Sequence, residues 1–108
     1  MSVLIVLTHA PDRDCAKRIA HALVERKLAA CVNIMAECTS VYRWKGEIET
    51  ASEIPLLIKT RADIYPEVEA AIKSMHPYQL PEIISLPVAR GCSDYLGWIS
   101  AETVTEIG

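Results

Sequence analysis

The segment Val41-Tyr42-Arg43-Trp44-Lys45-Gly46-Glu47-Ile48-Glu49 decides how this chain is read. Lys45-Gly46 is a two-residue turn, because glycine takes the positive φ that a tight hairpin requires. Backwards from it, Val32, Ile34, Ala36 and Cys38 recur at every second position, the period of a half-buried strand. Forwards, Ile54, Leu56, Leu57 and Ile58 supply the partner. The hairpin therefore spans Ala30 to Lys59.

Two arms of about 15 residues at roughly 3.3 Å each predict a ribbon about 45 to 50 Å long. A compact chain of this length has a radius of gyration near ~13 Å, so the tip must protrude. A two-stranded ribbon alone is marginal in water and needs another surface to lie on. Tyr42, Trp44, Lys45 and Gly46 are thereby assigned to assembly, with Trp44 packing on an adjacent copy rather than touching a cofactor. A bulge near Glu37 to Ser40 would instead fold the ribbon back as two shorter strands.

The chain has 108 residues, enough for one domain spanning 1–108 with a single core. Hydrophobic residues make up 51% and charged residues 23%, which excludes a disordered chain. Eleven bases are scattered among fourteen acids without a basic stripe, which sets nucleic acid aside as a partner. Cys15, Cys31, Cys38 and Cys92 form no C-x-x-C pair and read as reduced thiols. The apolar run from Met1 to Leu7 is short and has no charged leader, so it reads as a strand, with no membrane span and a cytoplasmic location.

In chain order, Val3 to Thr8 is the first strand. Pro11, Asp12 and Asp14 open a helix whose apolar stripe is Ala16, Ile19, Ala20, Leu23 and Val24. His21 and Glu25 lie one turn apart on its polar face and read as part of a solvated surface. A second helix runs from Asp63 to Met75 and ends at His76-Pro77-Tyr78, since the residue before proline leaves the helical region. Ile83 to Val88 is the last strand of the main sheet, and Pro87 implies an unpaired edge or a break in it. Asp94 to Glu102 closes the chain as a short helix carrying Tyr95, Trp98 and Ile99. The order is β-α-β-β-α-β plus a C-terminal helix. This is the α+β, ferredoxin-like arrangement, a four-stranded antiparallel sheet with two helices on one face and the other face bare. A bare apolar face is an interaction surface.

No glycine-rich phosphate loop and no supported nucleophile motif is present. The polar side chains that could converge are Lys59, His76, Tyr78 and Glu82, with Tyr95 and Trp98 from the tail. His76 stands at a helix terminus, where an imidazole either satisfies the last carbonyls or serves as a ligand.

Four segments carry a resemblance: Leu28-Ala29-Ala30-Cys31-Val32-Asn33-Ile34, Tyr42 to Glu49, His76-Pro77-Tyr78 with Pro81-Glu82-Ile83, and Tyr95-Leu96-Gly97-Trp98. Together, in this order, they resemble the CutA family of divalent-cation tolerance proteins. The resemblance implies a stable homotrimer with hairpins wrapping neighbouring subunits, tolerance to copper and other divalent metals, and metal binding near subunit interfaces. Ligand positions carried over from the family fall on Thr8, Met75 and Glu82, so a thiol and an imidazole are missing, and His76 and Glu82 are left as candidate ligands for copper or zinc. No obligatory cofactor and no enzymatic activity are expected. The alternative is an adaptor similar to the PII regulators, trimers that bind a small molecule or nucleotide between subunits. A third reading is an enzyme using Lys59, Glu82 and Tyr95 in an interface cleft.

Overall fold

The longest element is a strand of 15 residues, and the sheet is built around it. The computed structural model describes residues 2–103, so Met1 and residues 104–108 of the expected domain lie outside the described residues. The strands are β1 (Val3–Ala10), β2 (Cys31–Ile34), β3 (Cys38–Trp44), β4 (Glu47–Arg61) and β5 (Ile83–Pro87). The helices are α1 (Arg13–Glu25), α2 (Tyr65–Met75) and α3 (Ser93–Ala101), with a single 3-10 turn, Ala62–Ile64, leading into α2. All pairings are antiparallel. The main sheet has the order β2-β4-β1-β5, and β3 pairs with the distal half of β4. Pro87 ends β5, which pairs with β1 alone, so the proline sits on an edge strand as expected.

The turn is the predicted one. Trp44 stands opposite Glu47, and Lys45 and Gly46 between them have φ of 50° and 84°. Two positive φ values make a type I′ turn, whose twist matches that of the flanking strands.

The alternation through Ala36 does not hold. Ile34 lies opposite Leu56 and Cys38 opposite Glu53, so three residues on one strand face two on the other. That extra residue is a bulge at Met35 to Glu37. Pro55 explains its position. The Met35 N–H donates to the Pro55 carbonyl at 2.9 Å. In a strand a residue's nitrogen and carbonyl point the same way, so the proline's missing N–H faces the bulge and leaves no ladder acceptor unmet. Because β4 runs unbroken past the bulge, the ribbon does not fold back. The described residues extend 44 Å along the longest axis, with a radius of gyration of 14.4 Å.

Strand parity sets the core. Val6, Leu56 and Ile58 face α1 and α2 and meet Ile19, Leu23 and Ile72, all of them fully buried. Each such side chain contributes about 1.5–3 kcal/mol. Asp12 caps α1, its Oδ1 accepting from the Cys15 N–H at 2.8 Å. Val24, expected in the stripe of α1, is 43% exposed, because the stripe faces the sheet through Ala16, Ile19, Ala20 and Leu23.

The opposite face of the sheet carries Ile5, Leu7, Leu57, Ile84 and Leu86. It is not wholly bare. The third helix contacts β4 and β1, burying Ile99 there. Ile84 and Leu86 stay half exposed on β5. None of the described helices is long and apolar enough to cross a membrane.

Candidate functional site

Where β4 outruns β1, the ribbon leaves the sheet and a crevice opens beneath it. It has a volume of about 760 Å³ and lies between Ser40–Trp44 of β3, Glu53 of β4, and the α2–β5 connection from Pro77 to Glu82. His9, next to last in β1, lines its floor.

His76 organises that connection. The Tyr78 N–H donates to its Nδ1 at 3.2 Å, so Nδ1 is the unprotonated nitrogen. The Nε2–H then donates to the His9 carbonyl at 2.6 Å. Both nitrogens are held by main chain, in one neutral tautomer, and the imidazole ties the end of α2 to the end of β1. The ring also packs against that of Tyr78, with centroids 4.7 Å apart. Glu82 turns the other way and accepts from His9 Nδ1 at 3.0 Å. His76 and Glu82 therefore both meet His9, one at its carbonyl and one at its ring.

Tyr78 donates its hydroxyl to Glu53, which is only 9% exposed. Burial, with the Glu53 carboxylate as the second cause, pushes the phenol up to about 12. Glu53 and His9 were not singled out from the sequence. Glu53 carried a signal, since it interrupts the approach to the apolar run from Ile54 to Ile58.

The remaining expected cleft residues gather elsewhere. Lys59 donates to Asn33 Oδ1 and lies 4.0 Å from the Cys31 sulfur. The Tyr95 hydroxyl meets the same thiol, and its ring lies 5.5 Å from that of Trp98. Lys59 and Glu53 are six positions apart on β4, roughly 20 Å along a strand, so Tyr78 belongs to a different cluster from Lys59, Tyr95 and Trp98. Within the chain Lys59 and Tyr95 meet at Cys31 while Glu82 meets His9.

Arg61, also missed, is fully buried, with Nε 3.1 Å from Asp63 Oδ1. Cys15, Cys31, Cys38 and Cys92 are free thiols. Thr8 is fully buried, and its hydroxyl has no hydrogen-bond partner among the described residues. Met75 packs against the core. Among the described residues no group of three or more His, Cys, Asp or Glu side chains is placed to hold a metal ion. The donor set of the described residues does not fit a closed metal site, which needs four ligands.

The fold and crevice define a small α+β protein whose described residues form one antiparallel sheet with three helices and a projecting ribbon. Residues 4–102 match the family described as CutA1 divalent ion tolerance protein, and the chain belongs to that family. It is similar to the divalent-cation tolerance protein CutA of Thermus thermophilus, 46% identical over 92% of this chain and 96% of that one. A solved structure of the Thermus protein superposes with a TM-score of 0.93, at 44% identity over 94% of this chain and 99% of that chain. A solved structure described as a periplasmic divalent cation tolerance protein from Archaeoglobus fulgidus gives 0.90, at 40% identity over 93% of this chain and 97% of that chain. Mouse protein CutA is 43% identical over 94% of this chain, which spans 58% of the mouse protein's length. The family description and the Thermus and Archaeoglobus names speak of divalent ion tolerance.

Proposed function

We propose that this chain is a non-enzymatic, cytoplasmic protein of divalent metal ion tolerance that works as a homotrimer and binds copper or zinc weakly, as cargo. Family membership across residues 4–102 carries this reading. The strand order β2-β4-β1-β5 supports describing residues 1–108 as one ferredoxin-like domain.

The trimer is supported by surface that one subunit leaves uncovered. Val41 and Ile48 on the ribbon are 67% and 62% exposed, and Ile84 and Leu86 on the sheet are 50% and 58% exposed. The outer edge of β3 and the distal edge of β4 have no partner strand among the described residues. A closed ring of copies covers such edges. Tyr42, Trp44, Lys45 and Gly46 sit at the ribbon's end, where a neighbour would meet them.

Glu82 with His9 is the donor pair a divalent cation could use, since His76 already serves two main-chain groups. Two donors make a weak site. Calorimetric titration with Cu(II) and Zn(II) tests this. Glu82→Gln should weaken binding about tenfold or more, and His76→Gln should not act through direct ligation. Binding by Glu82→Gln equal to the parent's would remove the site. A nucleotide-binding adaptor similar to the PII regulators is less well supported, because Glu53 and Glu82 in the crevice wall repel phosphates.

A further inference from the structure

His9 and Glu82 are brought together by the main sheet and not by the ribbon. His9 of β1 stands opposite Pro55 of β4, and Thr8 beside it stands opposite Ile83 of β5. Glu82, one residue before β5, therefore comes level with His9, and side chains so placed on antiparallel neighbours meet. Glu82 Oε1 lies 3.0 Å from His9 Nδ1.

The polarity of that bond places a proton. A carboxylate only accepts, so Nδ1 carries the hydrogen, and the neutral ring keeps its lone pair on Nε2. That nitrogen has no hydrogen-bond partner among the described residues, although the side chain is only 17% exposed. The other donors nearby are taken. Both nitrogens of His76 are held by main chain, and Glu53 accepts from the Tyr78 hydroxyl. Thr8 has no thiol, and Met75 packs against the core. Glu82 alone would offer a cation one carboxylate that is 43% exposed, and Nδ1 would first have to lose its proton. A histidine whose Nδ1–H is held by a carboxylate instead presents Nε2 in a fixed orientation, the usual arrangement behind a metal-binding imidazole.

We infer that His9 Nε2 is the atom that takes the cation, and that Glu82 is a positioning residue acting through the Nδ1–H. This rests on the reading of the chain as a binder of divalent cations. It adds a selectivity, since an imidazole nitrogen takes Cu(II) and Zn(II), whereas Mg(II) and Ca(II) take oxygen ligands.

The assembled protein, isotope-labelled in its histidine rings, is titrated with Zn(II) and followed by long-range proton–nitrogen NMR, which reports each ring nitrogen separately. Without metal, His9 should show a protonated Nδ1 and a bare Nε2. Zn(II) should move Nε2 and leave Nδ1 protonated, and Mg(II) should move neither. In calorimetry His9→Gln should weaken Zn(II) about tenfold or more, as Glu82→Gln should, whereas His21→Gln on α1 should change nothing. In Glu82→Gln the remaining Zn(II) should still sit on Nε2, because glutamine keeps an acceptor for the Nδ1–H. Zn(II) that moves Nδ1 instead, held between it and Glu82, overturns the inference and leaves cation binding standing. Zn(II) that gives heat without moving either nitrogen of His9 does the same, as does parental affinity in His9→Gln. A response of Nε2 to Mg(II) equal to that with Zn(II) overturns it too. No binding of Zn(II) or Cu(II) up to about 1 mM overturns this inference and the cation reading together. The NMR titration is read on the parent protein and stands even where a variant fails to fold.

Discussion

At the scale of single residues, His76 shows how position and partner separate. Its place at a helix end was legible from the proline that follows it. Its partner was not, because the His9 carbonyl lies 67 positions away and reaches it only through the fold. His76→Ala leaves two part-buried main-chain groups without this partner and should cost about 1–2 kcal/mol in urea unfolding. Thr8 has the opposite problem. Thr8→Val removes a buried hydroxyl with no partner among the described residues, and should raise stability by about 1 kcal/mol in the same measurement. A loss instead would mean that the hydroxyl is satisfied in the assembled protein. Tyr78 gives a pH dependence. Its phenol is raised from 10.0 to about 12 in the fold, so the folded state holds its proton after the unfolded chain has lost it. Stability from this group is full below pH 10 and falls as pH climbs through that window. Tyr78→Phe should flatten this part of an alkaline unfolding curve.

At the scale of elements, the ribbon turn was legible, whereas the bulge weighed near Glu37 to Ser40 falls at Met35 to Glu37 and does not fold the ribbon back. Lys45-Gly46 announced the turn because few residues tolerate positive φ. Gly46 has φ of 84°, so Gly46→Val should cost about 1–2 kcal/mol, read as a lower melting temperature. The space around Gly46 is open, so this cost is conformational rather than steric packing. Alternation of Val32, Ile34, Ala36 and Cys38 hid where it falls, since one inserted residue changes the register without changing the look of the pattern. Pro55 was the available signal, because a proline inside a paired strand must face a gap in the ladder.

At the scale of the whole molecule, the ribbon leaves apolar surface uncovered. Val41 and Ile48 are 67% and 62% exposed on it, where the proposed neighbour would lie. Val41→Glu places a charge in that apolar contact. Light scattering during gel filtration should give three times the 12.0 kDa chain mass for the parent and a smaller mass for Val41→Glu at low micromolar concentration. An unchanged trimer in Val41→Glu would move the interface to the sheet face around Ile84 and Leu86.

The sequence by itself determined the element order, the hairpin turn, the helix stripes and the family, because these rest on local periodicity, backbone preference and short runs of residues. Only the tertiary structure decided which polar groups meet. Lys59, Tyr78 and Tyr95 looked like one cleft when read along the chain, yet the length of β4 carries Lys59 and Tyr95 to Cys31 and leaves Tyr78 with Glu53 beneath the ribbon. Contacts between distant segments depend on strand register, and a single bulged residue resets it.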